Sequence, residues 1–173
     1  PVAEADSVFG LAYAALDSAV FVGPLAEFTV PERLAILKWA HLTANGTNFG
    51  SEEFKGVTYL VIGLPQPTVV SNDLVVTRSQ RLAKLIDDQL ALLKAFAKIV
   101  SAHEAFGGLK LQQASYHGSA PSYADMTSDY VEAYFPLEAI LKFADFDITS
   151  QELVNQSIIL VDENRIEVDL SVQ

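Results

Sequence analysis

No cysteine occurs in the 173 residues, and that absence removes disulfides, thiol catalysis, iron–sulfur clusters and thiolate zinc sites together. It leaves the compartment open, because cytosolic and exported bacterial chains can both lack cysteine. Basic residues are scarce as well: 11 Lys and Arg stand against 22 Asp and Glu, for a formal net charge of −11 and a pI near 4.5. A phosphate backbone is bound by clustered cations that displace its counterions, so nucleic acid is not an expected partner, and anionic lipid surfaces are disfavoured for the same reason. Long apolar runs are missing too. Mean hydropathy is high at +0.26, yet no uninterrupted stretch approaches the ~20 residues that cross a bilayer as a helix, and no integral membrane segment is expected.

Several chemical signatures are also lacking. His41, His103 and His117 are dispersed, with neither His-x-x-x-His nor His-Glu-x-x-His spacing, so no metal site is expected. There is no Gly-x-Ser-x-Gly elbow, Walker loop or Rossmann fingerprint, and no cofactor is implied. Asp145-Phe146-Asp147 alternates carboxylates but lacks the glycine and terminal glutamate of a calcium loop; it reads as a solvated linker. The first residues, Pro1-Val2-Ala3-Glu4-Ala5-Asp6, contain no signal-peptide core. The expectation is an exported chain, periplasmic or extracellular, whose leader has been removed; a trimmed cytoplasmic chain is the alternative.

At 50% hydrophobic, the chain has ample material for one core, and residues 1–173 are read as a single domain. The stretch Thr77–Gly107 organises it. Thr77-Arg78-Ser79-Gln80 has capping-box spacing, and Leu82, Leu85, Ile86, Leu90, Leu93, Phe96, Ala97 and Val100 recur at helical period. Gly107-Gly108 supplies residues suited to closing a helix, which places a long central helix at about 78–106. Arg81 falls on its polar side. An apolar stripe wider than a coiled-coil seam calls for a sheet as its cover.

Elsewhere, Asp6 or Ser7 caps a helix to Val20, and Thr29-Val30-Pro31-Glu32 opens another reaching Asn45 through Leu37 and His41, with Trp39 beside. A polar, Gly-rich connection, Asn45 to Ser51, leads past Phe54 into Val57–Ile62, which reads as a buried strand ended by Gly63–Pro67. Val69-Val70 and Leu74–Val76 read as a short hairpin, and Leu109–His117 as a strand. Asp125–Tyr134 reads as a short helix, and Pro136 opens another to Ala144. Thr149-Ser150-Gln151-Glu152 is a third capping box. The end of the chain reads as a hairpin, Ile158–Val161 followed by alternation from Ile166 to Val172. The expected fold is α+β: a mixed or mainly antiparallel sheet packed on the long helix and shorter helices, ending in a C-terminal β-hairpin.

Two places suggest chemistry. Arg78, Ser79 and Arg81 lie in the first turn of the long helix, where free N–H groups and the dipole favour an anion. Arginines there suggest a bound negative ligand, although pairing with a neighbouring carboxylate is the commoner arrangement. His117 ends a strand beside Gly118 and Ser119, with Asp125 and Asp129 following, a setting in which catalytic groups occur. An edge or surface histidine is nonetheless the more frequent case. Three functions remain, in order of expectation. First is a non-catalytic, exported or envelope-associated protein acting through protein interaction or self-assembly, for example by strand addition at Leu109–His117 or Ile166–Val172. Second is a module binding a small anionic or apolar ligand at Arg78 or Arg81. Third is a metal-free hydrolase or isomerase using His117 and a carboxylate.

Overall fold

The computed structural model describes residues 21–33, 35–36, 48–64, 70–119 and 125–172. The helix expected before Val20, the continuation of the second helix past residue 36, and Pro65, Pro67 and Val69 lie outside the described residues. Helical backbone at 30–33 and 35–36 forms α1; its start is tied by the Thr29 N–H, which donates to Glu32 Oε2 at 2.7 Å.

The long helix is α2, Arg78–Ser101. Thr77 stays extended and its hydroxyl accepts the Gln80 N–H at 3.3 Å, while Gln80 Oε1 accepts the Thr77 N–H at 3.1 Å. That reciprocal pair fixes the first turn. Leu82, Ala83, Ile86, Leu90, Leu93, Phe96, Ala97 and Val100 are buried along one face. Arg81 is buried among them, against the expectation that it faces water.

The helix stops five residues short of the expected 106. The Ala102 and His103 N–H groups return to the Ile99 and Val100 carbonyls, tightening the last turn, and a further turn to Phe106 follows. Gly107-Gly108 does not close the helix. Gly108 begins a strand, where a Cβ would strike the Phe135 carbonyl and the Tyr59 ring; glycine is needed there for close approach.

Seven strands form one mixed sheet: β1 (Asn48–Phe54), β2 (Val57–Gly63), β3 (Ser71–Asn72), β4 (Gly108–Gly118), β5 (Thr127–Pro136), β6 (Ile158–Val161) and β7 (Asn164–Ile166). The order is β1-β2-β4-β5-β6-β7. β2 runs parallel to the start of β4, with Tyr59 opposite Gly108, and β3 parallel to its end, with Ser71 opposite His117. β2 and β3 therefore occupy successive stretches along one side of β4, and α2 is the crossover that returns the chain. Leu60, Ile62, Leu109, Leu111, Val131, Ala133, Phe135, Ile159 and Val161 share the core with α2 and with α3 (Leu137–Ala144). α4 (Ser150–Asn155) opens on the capping box read at Thr149. The fold is thus α+β, with a mixed sheet against a long helix and a C-terminal β6–β7 hairpin.

Five local expectations are corrected. Asp125–Tyr134 is not helical: most of it is β5, where Val131, Ala133 and Phe135 point into the core at period two. The hairpin expected from Val69-Val70 and Leu74–Val76 does not form among the described residues, because Ser71-Asn72 continues in the direction of β2 and the following Asp73-Leu74-Val75 is a turn. The polar stretch before Phe54 is a strand, β1, joined to β2 by Lys55 and Gly56 at φ 52° and 77°, the left-handed pair of a two-residue hairpin turn. The last strand ends at Ile166. Beyond it, Gln151 Nε2 donates to the Val168 carbonyl at 2.9 Å and Gln151 Oε1 accepts the Leu170 N–H at 2.8 Å, holding the chain against α4 instead of the sheet. Finally, Leu109–His117 is no edge: β5 pairs it along one side, and β2 and β3 pair Leu109–Gln112 and His117 on the other, so that among the described residues the sheet ends at β1 and β7. Among the described residues no helix is long and apolar enough to cross a membrane.

Candidate functional site

At the end of the sheet where β3 and β4 finish and β5 begins, the structure brings the two sequence-derived sites together. Asp129, third residue of β5, faces the first turn of α2, and its two carboxylate oxygens are divided between the arginines. Arg81 donates to Oδ2 at 2.7 Å and Arg78 to Oδ1 at 2.9 Å. The other nitrogen of the Arg81 fork donates to Asp73 Oδ1 at 3.0 Å. His117 lies opposite, its Nδ1 2.9 Å from Asp73 Oδ2 and its Nε2 3.7 Å from Asp129 Oδ2. Arg81, Asp73, His117 and Asp129 thus close a ring in which each carboxylate stands between a guanidinium and an imidazole. Asp162, in the β6–β7 turn, approaches Arg78 from outside at 4.0 Å.

Burial grades this ring. The side chains of Arg81 and Asp129 are 4% and 7% exposed, His117 is 19%, Asp73 37% and Arg78 56%. Burial pushes the Asp129 carboxyl up, but the hydrogen bonds and charges of Arg81 and Arg78 outweigh it and hold the group below its usual range. Asp73 is lowered chiefly by its hydrogen bond from His117, against some desolvation and with help from Arg81. Both carboxylates are anions at neutral pH. The positive charge carried by the start of α2 is therefore met from within the fold by aspartates. Arg81 Nε is buried without a hydrogen-bond partner, so the guanidinium is held by its two terminal nitrogens alone.

Thr127, opposite His117 in the β4–β5 register, places its hydroxyl 3.0 Å from Nε2 and 3.4 Å from Nδ1 of the imidazole. The lone-pair directions of those two nitrogens diverge, so an oxygen this close to both lies off either axis, over the side of the ring. A nucleophile activated by histidine needs its hydroxyl on the nitrogen's axis. The Asp73–His117–Thr127 sequence of contacts resembles a triad in membership but not in alignment. Ser119 and Asp125 are exposed, and neither is hydrogen-bonded to His117; Ser79 is exposed in the first turn of α2. Asp73 and Thr127 escaped the sequence reading. Asp73 falls in the turn of the expected hairpin, where nothing local marks it, and only the β4–β5 register reveals Thr127.

A second ionic group occupies the other face of the sheet. Lys110 Nζ, 4% exposed, lies 2.6 Å from both Glu52 and Glu132, and the Tyr134 hydroxyl donates to Glu52 at 2.8 Å. Desolvation works against the Lys110 charge, but the two carboxylates win and raise its pKa, while burial and Glu52 push the Tyr134 hydroxyl up to about 12. An ammonium held charged in this way is no nucleophile. Among the described residues no group of three or more His, Asp or Glu side chains could hold a metal ion.

No protein-family model, curated protein or solved structure matches the chain.

Proposed function

We propose that the protein is a non-catalytic binding protein that engages another protein through the end of the sheet around the ionic ring. One observation carries the reading: three large apolar side chains are left exposed at this end. Leu74 is 74% exposed and Val75 75% exposed in the turn after β3, and Met126 is 48% exposed just before β5. Single exposed apolar residues are ordinary, but a group beside a rigid, charged centre resembles the anchor-and-rim composition of binding surfaces. The ring supports this role and not the catalytic one. Its charges are committed to each other, and its hydroxyl is out of line with its imidazole.

Site-specific photocrosslinking tests it. A benzophenone side chain at position 75 is compared with one at Lys84, a polar control whose side chain is 69% exposed on α2. Position 75 is expected to give a discrete adduct that Leu74→Asp abolishes, and an adduct of twice the chain mass would identify a second copy as the partner. Equal, diffuse labelling from both positions would overturn the reading.

A further inference from the structure

We propose that the protein carries a second binding site, an open pocket of about 460 Å³ between α4 and the end of β7, and that this pocket takes a free aliphatic α-amino acid as its zwitterion.

The pocket follows from where the last strand stops. β7 ends at Ile166, and Gln151 then draws the chain onto α4 with both ends of its amide, at the Val168 carbonyl and the Leu170 N–H. A hollow remains where the chain parts from the sheet. Val154, Ile159 and Val168, at 4%, 2% and 8% exposure, give it an apolar lining together with Ile166. Apolar walls with a few polar groups, at this volume, are the common build of a small-ligand site.

Most of the polar lining is satisfied from within the fold. The Gln151 amide is fully engaged, and the Ser157 hydroxyl donates to the Leu153 carbonyl at 2.7 Å. Asp169 is turned to Ser171, whose N–H and hydroxyl donate to its Oδ1 at 2.9 and 2.7 Å. Three lining groups are left over. Asn155 Oδ1 accepts from Gln151 at 2.8 Å, which leaves the N–H donors of its amide. Arg165 and Glu167 are exposed, and among the described residues neither has an ion-pair partner, although only Ile166 separates them in sequence.

A spare cation with amide donors and a spare anion in one pocket select a ligand that carries both signs. A carboxylate suits the planar fork of Arg165 and the Asn155 amide, an ammonium suits Glu167, and a short aliphatic side chain covers Val154, Ile159 and Val168. The net charge of −11 points the same way. That field repels a simple carboxylate, whereas a zwitterion carries no net charge. A simple amine leaves Arg165 unanswered and meets its charge at close range.

Methyl-resolved NMR of the full chain tests the assignment, with alanine, valine and leucine as probes. Leucine is expected to shift the Val154, Ile159 and Val168 methyl signals saturably, with a dissociation constant at or below about 1 mM. Glycine, which lacks the side chain, is expected to bind more weakly. Isocaproate is leucine without its ammonium, and isopentylamine is leucine without its carboxylate; each is expected to bind at least about tenfold more weakly than leucine. Arg165→Gln and Glu167→Gln alter exposed side chains, so they should leave the α2 methyl signals in place while weakening leucine by a similar factor. The absence of a saturable shift with all three amino acids overturns the proposal. Either analogue binding as tightly as leucine overturns it as well, and so does leucine binding that is unchanged in both variants.

Discussion

Two arginines bind the same carboxylate, yet the structure assigns them unequal worth. Arg78 is more than half exposed, so its pair with Asp129 is screened and competes with hydration; exposed pairs contribute about 0–1 kcal/mol. Arg81 is buried, and Asp129 is its principal anion. Removing one partner of a buried pair leaves an uncompensated charge, typically at a cost of about 3–5 kcal/mol. Asp129→Asn is therefore expected to destabilise the fold by about 3 kcal/mol, the low end because Asp73 still holds the other side of the guanidinium. Arg78→Ala should cost under about 1 kcal/mol. Urea denaturation of both variants at pH 7 checks the contrast; equal losses would mean that burial does not set the hierarchy within the ring. That Arg81 faces inward was not legible in the sequence. A guanidinium on a helix is assigned to water by default, and only the aspartate arriving 48 residues later makes its burial affordable.

Helix ends show what a sequence reveals and what it hides. The capping boxes at Thr77 and Thr149 form in full where the spacing put them, and at Thr29 the Glu32 carboxylate accepts the cap N–H, because an N-terminus is written in side chains that reach their own backbone. The C-termini were less legible. α3 closes with the Phe146 N–H on the Phe143 carbonyl and the Asp147 N–H on the Lys142 carbonyl, a Schellman arrangement whose left-handed position, φ 65°, is filled by phenylalanine. The usual signal is glycine, and Asp145-Phe146-Asp147 read instead as a linker. Strands were missed for a related reason: β1 and β5 take their identity from neighbours across the sheet, and pairing partners leave little trace in a local pattern. The Phe146 ring is 82% exposed and lies under the Lys94 ammonium, 4.1 Å from its centroid. Relief of left-handed strain on going to glycine, about 1–2 kcal/mol, opposes a lost cation–π contact of about 0.5–1 kcal/mol and the added chain entropy of glycine. Phe146→Gly should thus leave stability within about 1 kcal/mol of wild type, although a whole aromatic side chain is deleted. Phe143→Ala, by comparison, removes a ring that is 8% exposed and should cost about 3 kcal/mol or more. Thermal or chemical melts separate the two, and a loss above 2 kcal/mol for Phe146→Gly would show that the ring packs against more than Lys94.

Over the whole molecule, two electrostatic effects of opposite sense meet as the pH falls. A net charge of −11 at neutrality repels itself, and titration toward the pI near 4.5 relieves that repulsion. Against this, Glu32, Glu52, Asp73 and Asp129 are all held below their ordinary values. For Glu32 and Glu52 desolvation opposes the lowering, and the hydrogen bonds from Thr29 and from Lys110 and Tyr134 overcome it. A carboxylate lowered on folding contributes stability that is complete above its unfolded pKa and is lost as pH falls through the folded one. The loss therefore begins below roughly pH 4.5 and deepens with further acid. Lys110 and Tyr134 are shifted upward, so their contribution is complete at neutral pH and is lost only in strong alkali. Stability should peak at about pH 5–6, below neutrality but above the carboxylate window. Salt separates the two effects. At pH 7–8, about 0.5 M sodium chloride shortens the Debye length to a few ångströms and screens long-range repulsion more than it weakens the buried pairs, so the melting temperature should rise. At pH 5, with little net charge left to screen, the same salt should change it far less. A melting temperature that falls with salt at pH 7 would mean that the exposed ion pairs, and not the overall negative charge, dominate the electrostatics of this fold.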